Sequence, residues 1–333
     1  VSSTRIVPET RLMPDEELNA DDAWHTLRRQ GGWHLLRDAF IRFRYGDGFS
    51  HSRAFALQLC LAVVPFMIAL TGLISELGVE EGGQVVADTV LALTPGASEP
   101  VVAELLGEGD RTERAGELAL SLGMITGLVA LTSTMAQIER GANRIYGVER
   151  DRPALWKYVR AAVLALTAGV PALVGFLILV GGGPMGDSVQ RHYAWGEFAN
   201  GVWDVVRWPL SLGLTVLAVA VIFRHAPRRN QPGLSWLFFG AGIATVLWWV
   251  ASLLLAAYVR YSDGFGQTYG ALTGMMALLL WANLTGMALF GGLSFAAQLE
   301  ALRVGAPEPA QPDLWEPEAE RESLHDAGDM TSL

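Results

Sequence analysis

Residues 264–299 read GFGQTYGALTGMMALLLWANLTGMALFGGLSFAAQL, thirty-six consecutive positions without one Asp, Glu, Lys or Arg. A helix rising 1.5 Å per residue crosses a ~30 Å hydrocarbon core in about 20 residues. Five further charge-free runs precede it: Ala54–Ser75, Leu118–Ile138, Ala161–Gly186, Trp208–Phe223 and Asn230–Val259. Five of the six runs reach spanning length. The fourth is short, but Val205 and Val206 extend it outward, with Pro209 acceptable in a first helical turn. The competing reading, buried helices of a large soluble protein, fits poorly with uncharged runs of 30 and 36 residues. Backbone groups in lipid must be bonded within the segment, so the spans are read as helices. The expectation is six transmembrane helices, at about 54–75, 118–138, 160–181, 205–223, 234–258 and 270–299.

Composition agrees. The chain has 333 residues, of which 51% are hydrophobic and 17% charged, with 23 Arg and a single Lys, Lys157. Mean hydropathy is +0.30, and a soluble chain would carry about 25% charged residues. The single cysteine, Cys60, excludes an intramolecular disulfide framework and a cysteine-built zinc site. The net charge of −10 argues against nucleic acid as the main partner. The first apolar run begins after some fifty residues and is too long for a signal peptide, so none is expected.

Basic residues set the orientation. The connections that share a side with the termini hold 16 Arg and Lys and the alternate ones hold 5, which predicts cytoplasmic termini. The outer stretch from Glu76 to Glu117 carries ten carboxylates. It is too long for a bare loop, and Val85, Val86 and Val90, then Val101, Val102, Leu105 and Leu106, suggest two short amphipathic helices around Thr94-Pro95-Gly96. A solvated cap is favoured there over a cation-attracting vestibule. Before the first span, Trp33, Leu36, Phe40 and Phe43 recur at helical spacing among Arg37, Arg42 and Arg44. That pattern suits an amphipathic helix in the inner headgroup layer or against the bundle. Residues 1–23 and 304–333 are acidic and lack periodic apolar positions, so both are expected to be disordered tails flanking a transmembrane domain at 24–303. Subtracting the tails leaves residues 24–303 at a net +1, with positive charge sorted to one side.

Motifs for catalysis do not emerge. The six His are scattered, and no H-E-x-x-H, G-x-S-x-G or P-loop occurs. Gly181-Gly182-Gly183-Pro184 reads as a helix terminator. No catalytic, metal or cofactor-binding residue and no cofactor are expected. Polar residues in or beside the spans are the candidate bundle or cavity positions, since polarity in lipid faces an interior: Gln58, Gln137, Arg140, Asn143, Tyr269, Asn283 and Gln298. For each, interhelical hydrogen bonding is the competing role. Gly240-Ala241-Gly242, Ala244, Gly286, Gly291 and Gly292 permit close helix contact, and Pro65 and Pro171 are expected to bend the first and third helices.

Tyr269-Gly270-Ala271-Leu272-Thr273-Gly274 followed by Leu278-Leu279-Leu280-Trp281 resembles a signature of the YihY/BrkB family of bacterial inner-membrane proteins. Asp38, Pro65, Ala142-Asn143-Arg144-Ile145-Tyr146-Gly147, Arg152, Arg224-x-x-Pro227, Gly240, Trp248 or Trp249, Ser252 and Tyr258 agree in order and spacing. The resemblance covers roughly residues 30–303. The chain departs from the family pattern at Leu57, Ala62 and Gly292-Leu293-Ser294, as in a divergent branch of actinobacterial type. It therefore lacks the carboxylate that many members carry at this last position. The resemblance implies six helices with cytoplasmic termini and a link to envelope integrity. It also brings a proposed role in transport of lipid or lipopolysaccharide-related molecules and an old ribonuclease label. The expected function is non-enzymatic transport of a lipid or other amphipathic envelope component, with membrane lipids as partners. A scaffold recruiting envelope proteins is the alternative, and a membrane-bound ribonuclease is unsupported by the residues.

Overall fold

The structure, a computed structural model, describes residues 5–9, 18–30, 32–76, 113–148, 152–172, 174–175, 178, 197–261, 273–305 and 308–312. Its elements are β1 (Arg5–Ile6), α1 (Ala20–Gln30), α2 (Gly32–Tyr45), α3 (Gly48–Glu76), α4 (Glu113–Ile145) and α5 (Ala154–Leu164). There follow α6 (Glu197–His225), α7 (Leu234–Tyr261), α8 (Thr273–Val304) and β2 (Gln311–Pro312). Segments 121–145, 201–225, 234–261 and 274–304 are long and apolar enough to cross a membrane. Helix α3 covers the expected first span, while α5 and its continuation reach only the first part of the expected third. The expected outer helices, the end of the third span and the Tyr269-Gly270 motif lie outside the described residues.

The helices overrun the charge-free runs. Helix α4 continues from the expected 138 to Ile145, and α8 from 299 to Val304, because a helix need not stop where hydrocarbon stops. Helix α6 starts at Glu197, so Pro209 stands in its interior rather than in its first turn. Helix α5 runs on through a π-helical turn, Ala165–Gly169, just ahead of Pro171. Such a widened turn is a common local answer to a disturbed ladder.

Helix α2 coincides with the expected amphipathic helix, and ordered elements reach into segments expected to be tails. The pre-membrane region is a pair of helices, and α1 begins inside the segment expected to be a disordered tail. The Asn19 side chain accepts the backbone N–H groups of Asp21 (2.9 Å) and Asp22 (3.2 Å), capping α1. Leu18 is buried beside it. Further out, β1 pairs antiparallel with β2, Arg5 opposite Pro312, and Val7 is buried. Gly147, at φ +73°, turns the chain after α4, and a Cβ there would stand 2.5 Å from the Val7 carbonyl oxygen. The short apolar anchors Val7 and Leu18 dock these residues despite their acidic neighbours.

Helix α8 is central, packing on α2, α3, α4 and α7. Its seam with α7 is built from small residues. A Cβ at Gly292 would lie 2.5 Å from the Gly240 carbonyl oxygen, and one at Gly240 would lie 2.7 Å from Ala296 Cβ. Gly240/Ala244 and Gly292/Ala296 each share one helix face at i, i+4. Farther along the antiparallel pair, Trp248 Nε1 donates to Thr285 Oγ1 and Trp281 Nε1 to Ser252 Oγ, both at 3.2 Å. The two indoles meet edge to face at 6.3 Å. Outward surfaces stay apolar, with Leu122, Ile125, Val129, Leu253 and Leu254 all more than half exposed. An exposed apolar surface on this scale belongs against lipid.

Because the α7–α8 seam leaves no room at Gly292 while Gly242 faces open space, alanine has opposite effects at the two sites. Gly292→Ala should cost about 1–3 kcal/mol through overpacking. Gly242→Ala should be neutral or stabilise by up to about 1 kcal/mol through helix propensity. Unfolding midpoints of the purified variants in detergent check the difference in sign.

Candidate functional site

Two features meet at the end of the bundle where Gly147 lies against Val7: a buried ionic layer and an apolar groove. The layer forms where α4, α6 and α8 end and α3, α5 and α7 begin. Arg42, fully buried on α2, donates from Nε to Gln298 Oε1 on α8 (2.9 Å) and from Nη1 to the Ile145 carbonyl at the end of α4 (3.1 Å). Arg229, in the turn between α6 and α7, pairs with Glu300, whose side chain is fully buried. The Arg229 guanidinium also lies 4.6 Å from the centre of the buried Tyr146 ring. On the other flank, Arg152 pairs with Glu139 at 3.0 Å. Arg152 also donates to the carbonyls of Ala226 (3.0 Å) and Pro227 (2.9 Å) beyond α6. Arg160 reaches the His225 carbonyl at 3.2 Å.

Burial governs the electrostatics. It draws the Arg42 guanidinium down to about 10, partly offset by Tyr146 and Glu300, so the group remains a cation at neutral pH. Burial pushes the Tyr146 phenol above its ordinary value, aided by the Glu300 charge, and keeps it neutral. Burial lowers Arg152, with Glu139 opposing the shift. Arg42, Arg229 and Glu300 together carry one excess positive charge. Part of its compensation is the carbonyl end of α4, whose dipole is negative there. Among the described residues, Arg42 Nη2, Glu139 Oε1, Glu300 Oε2 and the Trp236 indole nitrogen are buried without a hydrogen-bond partner.

The sequence candidates divide. Gln298 and Asn143 belong to the layer, Asn143 Oδ1 accepting the Arg228 backbone N–H at 2.8 Å. Gln137 lies one turn deeper, its Nε2 3.0 Å from His51 Nδ1. Arg140 is exposed and Gln58 half-buried. Asn283 stands midway along α8, its Oδ1 buried with no hydrogen-bond partner among the described residues, and Tyr269 lies outside them. Reading by sequence missed Arg42, Arg152, Arg229 and Glu300 as a set. The available signal was the pair of carboxylates, Glu139 and Glu300, each the first charge after a long apolar run. Among the described residues no group of three His, Cys, Asp or Glu stands together.

The groove, a cavity of ≈ 350 Å³, opens between α2, α7 and α8. Leu36, Phe40 and Phe43 of α2 form one wall, with Phe49 at the start of α3. Ile243, Leu247 and Ala251 of α7 face Met287, Gly291 and Phe295 of α8 across it. Every lining residue is apolar. The mouth is aromatic: Phe43 meets Phe49 edge to face at 4.8 Å, and Phe40 stacks on Phe43 at 6.4 Å. Gly48 makes this corner, since a Cβ there would enter the Phe43 ring.

Removing one partner of the layer strands a buried charge. Glu300→Gln and Arg229→Gln should each destabilise by about 3 kcal/mol. The double variant should lose less than the sum of the two, by about 1 kcal/mol or more. Arg42→Lys should also destabilise, because one ammonium does not reproduce the fixed fork that spans Gln298 and Ile145. Denaturant titration of the purified proteins measures all four.

Comparisons with known proteins place the chain. It is 26% identical over 258 residues to the ribonuclease-like protein YfkH of Bacillus subtilis, covering 78% of this chain and 92% of that one. It is 26% identical to a UPF0761 membrane protein of Chromohalobacter salexigens, over 79% of this chain and 62% of the relative. A UPF0761 membrane protein of Xanthomonas campestris is 25% identical over 77% of this chain and 58% of its own length. The chain thus spans less than two thirds of these two longer relatives. No solved structure matches. The sequence profile of the family described as Virulence factor BrkB matches residues 39–316, and with its apolar, span-length helices the chain is a membrane protein of the BrkB family.

Proposed function

We propose that this protein binds, and moves or helps to move, a lipid or other amphipathic component of the bacterial envelope, without itself catalysing a covalent reaction. The observation that carries the reading is the lateral groove. It is wholly apolar, it opens between helices, and its volume lies in the range of small-ligand sites. A sealed bundle would have favoured a scaffold. The ionic layer supports the same reading by giving the groove a fixed wall, since Arg42 ties α2 to α4 and α8. In this proposal six helices cross the inner membrane with both termini in the cytoplasm, as the sorting of arginines suggests.

The printed name of the Bacillus relative raises RNA cleavage. The layer offers arginines already committed to carbonyls and carboxylates, and Arg42 among them is fully buried from a polymeric substrate. Purified protein with Mg²⁺ is expected to leave tRNA intact on a denaturing gel. Metal-dependent cleavage that survives repurification and disappears in Glu139→Gln or Glu300→Gln would overturn the non-enzymatic reading.

Two measurements test the proposal. Reconstituted into vesicles, the folded protein should accelerate exchange of fluorescent phospholipid between leaflets or between vesicles over protein-free controls. No acceleration would leave the scaffold reading. A periplasm-active reporter fused after Ala97 should be active and one after Leu333 inactive, and the reverse pattern sinks the orientation.

A further inference from the structure

Helix α2 presents two different surfaces, and the outer one is more than a membrane rest. With about 100° between successive residues, Trp33, Arg37, Phe40 and Arg44 fall in one stripe within roughly 60° of each other. All four are exposed. Phe40 is at the same time a wall of the apolar groove. The two guanidiniums therefore stand three residues before and four residues after the aromatic ring that forms the groove's mouth. The acid of this helix, Asp38, lies about 160° around from Phe40, and Asp47 lies in the turn beyond the helix. The local charge at the mouth is thus positive, while the groove behind it is uncharged.

We propose that the groove holds one acyl chain of an anionic glycerophospholipid whose phosphate is bound by Arg37 and Arg44. This rests on the lipid-binding reading above and names the lipid class. The placement is consistent along the membrane normal. An amphipathic helix with aromatic anchors lies at headgroup depth, which puts Arg37 and Arg44 at phosphate level. From Phe40 the groove passes between α7 and α8 to Ala251 and Leu284, where a chain would enter the hydrocarbon region. Guanidinium groups bind phosphate oxygens in bidentate fashion, and each basic residue near an anionic surface adds roughly a fivefold preference. A zwitterionic lipid offers the same chain and phosphate but adds a cationic headgroup beside two arginines. The groove accepts both lipid types, and the arginines select between them.

The test uses the full chain in nanodiscs carrying a phosphatidylglycerol with a photoreactive diazirine in its acyl chain. Labelled peptides should map to α2 and to the 284–295 segment of α8. Unlabelled phosphatidylglycerol should compete about tenfold or more better than phosphatidylcholine. Arg37→Gln with Arg44→Gln should abolish that preference while labelling persists, since neither side chain lines the groove. Ala251→Phe, and independently Met287→Trp, should suppress labelling with either lipid, judged on variants whose unfolding midpoint matches the parent. Equal competition by the two lipids, or a preference that survives loss of both arginines, overturns the proposal. So does labelling untouched by both groove-filling variants. Selective labelling without lipid exchange would refute the transport reading and leave this site standing. Exchange without charge selectivity would do the reverse.

Discussion

A guanidinium shut away from water must have its N–H groups met, and Arg42 is where this chain faces that demand. Its side chain leaves α2, passes under the bundle and ends between the last carbonyl of α4 and the amide of Gln298 on α8. Three segments far apart in sequence are thereby fixed relative to one another by one planar, always-charged group. The arrangement repeats with other arginines. Arg152 and Arg160 meet the carbonyls of Ala226, Pro227 and His225 at the end of α6. Arginine excess on this side is usually read as a topology signal. Here Arg42, Arg152 and Arg160 also satisfy carbonyls at or just beyond helix C-termini, where partners are lacking and the dipole is negative.

That dual use explains why the ionic pairs sit where they do. Hydrophobic burial contributes little to holding helices together in lipid, so packing and polar contacts must do it. Through the middle of the bundle the chain relies on small residues and on the paired Trp248–Thr285 and Trp281–Ser252 contacts. At the arginine-rich end the helices diverge into turns, and small-residue contact no longer suffices. Pairs such as Arg229–Glu300 and Arg152–Glu139 take over there. They lie close enough to the interface for the charges to be introduced, yet under enough protein to stay dry. Desolvation makes such pairs poor sources of net stability. Their effect is specificity: each requires one register of one helix against another.

Much of this was legible in the residues, and the rest was not for identifiable reasons. Charge-free runs locate apolar helices because charge is expensive in hydrocarbon, and α7 begins at the expected residue, Leu234. The runs do not locate helix ends, since arginines and acids at the interface extend a helix freely, as α4 and α6 do. The α7–α8 seam was visible as glycines in i, i+4 relation to alanines. Helix α1 was also within reach through Asn19 and Asp22, a capping pair, but the surrounding acidity masked it. The ionic layer was less accessible. Arg42 looks like any basic residue of an amphipathic helix, and only the tertiary path of α8 shows that it points inward while Arg37 and Arg44 point outward. Gln298 and Asn143 could be singled out as polar and near a span, but not assigned partners 256 and 85 residues away.

The two faces of α2 make the layer and the groove mechanically dependent. Leu35, Ala39, Arg42 and Phe43 are its buried positions, and Phe43 is also part of the groove wall. The groove therefore exists only while α2 is held at its present distance from α7 and α8. Apolar packing alone would tend to close such a gap, because drawing Phe40 and Phe43 onto Leu247 and Phe295 would improve their contact. Arg42 opposes that collapse, since its two bonds fix where the helix stops. The ring of Phe43, wedged against Gly48 and Phe49, props the same corner from the α3 side. A charged contact thus stands behind the α2 wall of an apolar groove, and a motion of α2 that widens or narrows the groove must move Arg42 relative to Gln298 and Ile145.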